Sequence, residues 1–130
     1  MTDPSVVRTV GAPAPFGGAP YSQAIIAGEF VFVSGQVGLD PGTAQLVVGG
    51  IVAETQQAFA NLRAILEAAG SSLDRIVKTT VFLMDMDDFG LMNETYATFV
   101  GATPPARSTV EVAKLPAGAI FEIECVALRA

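Results

Sequence analysis

Near the C-terminus, Phe121, Ile123, Cys125 and Ala127 alternate with Glu122, Glu124, Val126 and Leu128. Side chains of a strand point alternately to the two faces of its sheet. The segment therefore predicts a strand with one wholly apolar face, suited to packing under helices. The other face carries Ile120, Glu122, Glu124, Val126 and Leu128. It is too apolar for open solvent and too charged for a dry core. Upstream, Pro104-Pro105-Ala106-Arg107-Ser108-Thr109-Val110-Glu111-Val112 predicts a second strand, opened by an arginine and joined to the last one by a short turn through Leu115-Pro116. Arginine and glutamate are rarely buried unless paired. These charges mark either a binding site or a subunit contact.

The rest of the chain limits how such a strand can be covered. Residues 6–10 read as a short strand, followed by a Gly/Pro/Ala loop over 11–20. Residues 22–26 and 30–34 flank Ala27-Gly28-Glu29 as a hairpin. A long loop follows, with Asp40-Pro41-Gly42 as its turn signal. Ile51, Thr55, Ala58, Phe59, Leu62, Ile65, Leu66 and Ala69 recur at helical spacing, and Gly70 stops that helix. Residues 76–84 are β-rich. Asp85, Asp87 and Asp88 then open a second helix, where negative charge suits the helix dipole. Phe89, Met92, Tyr96 and Phe99 or Val100 form its apolar stripe. The order is β-β-β-α-β-α-β-β. This is an α/β (α+β) chain with one mixed sheet and two helices packed on one face. Two helices cannot cover both faces, so a partner subunit over the second face would resolve its mixed character.

At 130 residues, with no repeat or composition shift, residues 1–130 form a single domain. Hydrophobic residues make up 51%, and mean hydropathy is +0.50. Still, no apolar run approaches the about 18 residues of a membrane span. Met1-Thr2-Asp3-Pro4 does not open a signal peptide, so a cytoplasmic protein without membrane association is expected. The net charge of −6 opposes binding to nucleic acid, where clustered Lys and Arg supply the affinity. Without histidine and with one cysteine, Cys125, the common zinc sets and Ser-His-Asp or Cys-His mechanisms are excluded within one chain type. Chemistry falls to carboxylate, arginine, tyrosine, hydroxyl and backbone groups.

Several blocks then occur in one order: Ala19-Pro20-Tyr21-Ser22-Gln23-Ala24, Val33-Ser34-Gly35-Gln36, residues 76–83, Asn93-Glu94-Thr95-Tyr96, Pro105-Ala106-Arg107-Ser108 and Ile120-Phe121-Glu122-Ile123-Glu124. Together they resemble the Rid family of reactive-intermediate (imine) deaminases, RidA/YjgF type, over nearly the whole chain. The resemblance implies a chorismate-mutase-like fold and a homotrimer with clefts between subunits. It implies hydrolysis of 2-aminoacrylate/2-iminopropanoate and 2-iminobutanoate to 2-oxo acids and ammonia, without cofactor or metal. The partners implied are small 2-imino and 2-oxo acids and further copies of the chain. An alternative is a regulatory trimer that binds small carboxylates without significant turnover. Some relatives are described as ribonucleases or as chaperone-like, but the acidic charge argues against RNA here.

Residue by residue, the resemblance makes Arg107 the carboxylate clamp, for which a guanidinium fork is suited and an ammonium is not. Glu122 becomes the group that positions the hydrolytic water. From residue type alone, both can equally be an ion pair across the sheet. Tyr21, Ser34, Gly35, Asn93 and Thr109 become substrate-binding residues; the plainer readings are packing for Tyr21, a strand-end turn for Ser34 and Gly35, and helix surface for Asn93. Thr109 stands where many relatives carry cysteine, so thiol chemistry is not expected there. Ala19 replaces a usual glycine. Cys125 is read as inert core and Glu124 as structural or interfacial.

Overall fold

The strand rich in alternation, Phe121–Leu128, lies at the centre of the sheet. It does so in a computed structural model that describes residues 3–130; Met1 and Thr2, part of the stretch read for a signal peptide, lie outside the described residues. The strands are β1 (Ser5–Val7), β2 (Ala24–Ala27), β3 (Phe30–Val37), β4 (Ile76–Leu83), β5 (Ala106–Glu111) and β6 (Phe121–Leu128). The helices are α1 (Gly50–Ala68) and α2 (Phe89–Val100). The six strands run in the order β1-β2-β3-β6-β4-β5. Only β4 and β5 are parallel; every other pair is antiparallel.

Both helices pack on the face carrying Val31, Val33, Val81, Leu83, Phe121, Ile123, Cys125 and Ala127, all buried. Their own contribution includes Phe59, Leu62, Ile65 and Leu66 from α1 and Met92 and Tyr96 from α2. Each fully buried side chain of this size contributes about 1.5–3 kcal/mol. Among the described residues, no helix covers the other face. It presents the row Val6, Ile25, Phe32 and Val126, with Phe32 47% exposed.

The last two strands depart from the expected pair joined by a short turn. They are not neighbours: β5 is the outer strand beside β4, and β6 is inserted between β3 and β4. The physical reason is burial. The alternating apolar residues of β6 need sheet neighbours on both sides, while β5 has no buried residue and suits an edge. The linker between them is anchored by Leu115 and Ala119, which pack with Val37, Leu39 and Leu46 in a second small core.

Smaller departures have local causes. The first strand ends at Val7, and Val10 is exposed. The second begins at Ala24, because the Gln23 side chain stitches the preceding loop. It accepts from Thr9 N (2.8 Å) and donates to Thr9 O, Ala12 O and Pro13 O. Ile120 precedes β6 and packs against the core instead of the open face. Phe89 is 39% exposed rather than part of the buried stripe.

Two buried polar residues of α1 tie the helix to the sheet. Asn61 Nδ2 donates to Val37 O (3.2 Å) and Leu39 O (2.9 Å), holding the chain that leaves β3. Glu54, only 4% exposed, accepts from Ile120 N–H at 2.8 Å, just ahead of β6. Burial pushes the Glu54 carboxyl above its ordinary range; the Ile120 and Phe121 N–H groups oppose this, and the charge of Asp88 adds to it.

A carboxyl whose pKa is raised by folding holds its proton more tightly in the native state. Its stabilising contribution is complete below the unfolded value and is lost as pH rises through the folded one. Urea unfolding should therefore show wild type losing stability relative to Glu54→Gln as pH rises from about 4.5 toward neutrality. Glu54→Ala, which strands the Ile120 N–H, should cost about 1–3 kcal/mol at either end of that range.

Candidate functional site

The expected site residues fall into two groups on opposite faces of one sheet. Arg107 stands opposite Thr79 of β4, and Thr79 stands opposite Cys125 of β6, so Arg107 points to the helix side. Thr109 stands opposite Val81 on the same side. Glu122 stands opposite Phe82, on the open face. Arg107 and Glu122 therefore cannot pair across the sheet within one chain, which removes that reading of both residues.

On the helix side, Phe89, Asn93 and Tyr96 occupy positions i, i+4 and i+7 of α2 and share one stripe of the helix. The Arg107 guanidinium carbon lies 4.7 Å from the Tyr96 ring centroid and 5.5 Å from that of Phe89. Tyr96 is fixed by a 2.7 Å hydrogen bond between its hydroxyl and Thr79 Oγ1. Its ring meets Phe59 edge-on at 5.4 Å. Among the described residues, Asn93 Oδ1 and Thr109 Oγ1 on the Arg107 side are buried with no hydrogen-bond partner, as is Thr55 Oγ1 of α1. Buried polar atoms are almost always satisfied, so these positions suit a bond to a ligand, water or partner.

On the open face, a groove of ≈ 380 Å³ is lined by Phe16, Tyr21, Ser34, Gly35, Pro116, Glu122 and Glu124. Its floor is a bulge. Register between β3 and β6 shifts between Val33 and Gln36, so Ser34 and Gly35 bend away from the ladder. The Glu122 side chain lies directly on Gly35. A Cβ added there would sit 2.9 Å from Glu122 Cδ and closer still to its carboxylate oxygen. Ser34 Oγ donates to Ser22 O (2.6 Å), and Tyr21 Oη accepts from Phe16 N–H (3.0 Å). The tyrosine proton remains free to donate to a ligand.

Burial, then the charge of Glu124, pushes the Glu122 carboxyl above its ordinary range. Glu124 thus belongs to the groove electrostatically as well as by position. Cys125 is buried on the helix side, and burial followed by the Glu124 charge pushes its thiol up to about 12. Its place in the core is the one its parity implied. A second hollow of ≈ 280 Å³, beyond Tyr21, is lined by Arg8, Thr9, Val10, Ala14, Pro15, Tyr21, Ser22 and Gln23. Its lining includes no carboxylate.

Residues 11–129 match the family model described as Endoribonuclease L-PSP. The chain belongs to this family, which is also known as YjgF/Rid. It is 50% identical to the mouse 2-iminobutanoate/2-iminopropanoate deaminase, over 95% of this chain and 90% of that one. It is also 50% identical to a RutC family protein of Pyrococcus horikoshii, over 95% of this chain and 97% of that one. Among solved structures, Escherichia coli TdcF with bound serine superposes with a TM-score of 0.90 at 38% identity, covering 97% of this chain and 99% of that one. Among the described residues, no helix is long and apolar enough to cross a membrane.

The L-PSP signature drew attention to Arg107 and Glu122 but not to the two rings beside Arg107. Phe89 and Tyr96 read as core in sequence because helical spacing does not say which strand a stripe meets. The only available signal was their i, i+7 relation to one another across Asn93.

Gly35 and Glu122 give a direct test. Gly35→Ala drives a methyl into the Glu122 carboxylate, the movable end of a side chain rather than backbone. The variant should melt within a few degrees of wild type, and a crystal structure should show the carboxylate displaced.

Proposed function

We propose that the chain hydrolyses reactive 2-imino acids to 2-oxo acids and ammonia. We further propose that it works as a homotrimer whose clefts join the Arg107 face of one subunit to the Glu122 face of the next. The observation that carries this reading is the opposed orientation of the two residues. A sheet separates them, so one small substrate can touch both only where two copies meet. The uncovered apolar row Val6, Ile25, Phe32 and Val126 supports association through the open face. The name of the mouse relative supports the reaction, and the serine bound to TdcF supports a ligand with a carboxylate beside a nitrogen-bearing carbon.

The chemistry follows from the residues. Arg107 takes the substrate carboxylate in a planar, two-pronged hydrogen bond. Glu122 accepts a proton from water as the water oxygen bonds to the imine carbon and the C=N electrons move to nitrogen, and it then passes that same proton to nitrogen, which restores the carboxylate. The resulting carbinolamine collapses: its hydroxyl proton passes to nitrogen through Glu122, the C–N bond breaks, ammonia leaves and the 2-oxo acid remains. Tyr21 and Ser34 offer hydroxyls near the water. Orientation and proton transfer suffice, because a protonated imine is already electrophilic. The acidic chain, at net charge −6, is poorly suited to a polyanion such as RNA.

The decisive assay generates 2-aminoacrylate with a cysteine or serine dehydratase and follows pyruvate release. Wild type should accelerate it, and sedimentation should give a trimer. Arg107→Ala and Glu122→Gln should each lose about 10²-fold or more while remaining trimeric. Refolded together, the two variants should regain activity in about a quarter of clefts, because each cleft draws on two subunits. No recovery would overturn the cleft shared between two subunits. Binding of 2-oxo acids without acceleration would instead identify a regulatory carboxylate-binding trimer.

A pH profile adds an independent check. Water activation needs Glu122 ionised, so kcat/KM should fall as pH drops through its raised pKa. Glu124→Gln removes a neighbouring negative charge, lowers that pKa, and should move the acid limb to lower pH.

A further inference from the structure

We propose that Phe89 and Tyr96 are positioning residues that hold the Arg107 guanidinium between two rings, leaving only its edges free for a planar carboxylate. The inference rests on the deaminase reading and adds to it what orients the clamp. The guanidinium carbon lies 4.7 Å from the Tyr96 centroid and 5.5 Å from the Phe89 centroid. The two residues are seven apart on α2, about 10.5 Å along the helix axis. The guanidinium carbon nevertheless lies within 6 Å of both ring centroids.

The inner ring is rigid. Tyr96 is 5% exposed and its hydroxyl is tied to Thr79 at 2.7 Å. Thr79 is also the β4 residue directly opposite Arg107 in the parallel ladder. Ring and arginine backbone are thus referred to the same residue. Phe59 supports Tyr96 from behind, and Phe99 stacks on Phe59 at 4.5 Å with planes only 2° apart. The outer ring, Phe89, is 39% exposed at the first residue of α2 and reaches the solvent side of the clamp.

Rings attract a cation through their faces. A guanidinium held this way keeps its N–H groups directed outward in its own plane, the geometry that matches a carboxylate. An arginine without such rings would sample many rotamers, and ordering it would weaken binding.

Calorimetric titration of the trimer with pyruvate, together with turnover of an imino acid made by an amino-acid oxidase, tests this. Phe89→Leu keeps apolar bulk but removes the ring. It should raise the pyruvate Kd and the substrate KM by about 3- to 10-fold, with kcat within about twofold. Phe89→Tyr restores a ring and should return both to wild-type values. Tyr96→Phe keeps the inner ring but frees it from Thr79 and should raise Kd by about 2- to 3-fold. Should Phe89→Leu fail to assemble in sedimentation, Phe89→Met makes the same comparison. Equal pyruvate affinity in wild type, Phe89→Leu (or Met) and Phe89→Tyr would overturn the proposal and leave the deaminase reading intact. A wild type that neither binds pyruvate nor hydrolyses imino acid would remove both.

Discussion

Burial of one sheet face by two helices is the constraint on which the rest of this structure depends. α1 and α2 cover Val31, Val81, Leu83, Phe121, Ile123 and Ala127, and these residues lose all contact with solvent. Once that layer is made, the alternation of every strand assigns the remaining side chains to the open face. Phe32, Val126, Glu122 and Glu124 arrive there together because they are out of phase with the core. The mixed apolar and acidic character of the open face is thus a by-product of which residues the helices require.

Polar tethers turn this layered packing into precise geometry. Glu54 holds the chain entering β6, and Asn61 holds the chain leaving β3. Both anchors lie at the same end of the β3–β6 ladder, and Glu122 and Gly35, in direct contact, sit next to it. Burying such groups without partners would cost more than the tethers return; with partners, they fix two strand ends against one helix. On the other side, Thr79 and Tyr96 do the same for Arg107. Each half of the candidate site is therefore supported by a buried hydrogen bond that crosses from helix to sheet or to the segment feeding it.

Much of this was legible in the residues. The helical spacing of Ile51, Ala58, Phe59, Leu62 and Ile65 and the stop at Gly70 correspond to α1, which ends at Ala68, with Gly70 at φ 76°. The alternation of 121–128 placed Cys125 in the core and Glu122 outside it, as found. The stripe of α2 was legible too, but its split between core and site was not. Met92 is fully buried whereas Phe89 lies at the surface beside Arg107. Periodicity names a helix face without saying which neighbour that face meets.

By itself the sequence determined the type of each element, the sidedness of residues within each strand, the family, and the absence of histidine chemistry. These follow from local periods and composition, which need no knowledge of distant partners. Only the tertiary structure decided that β6 enters between β3 and β4 and that β5 runs parallel at the edge. Parity relates residues along one strand. It says nothing about the phase of one strand relative to another, which long-range packing sets. That phase puts Arg107 with Tyr96 and Phe89 on the helix side and Glu122 with Gly35 on the open side. Two charges that looked like a pair in the sequence therefore lie on opposite faces of the sheet.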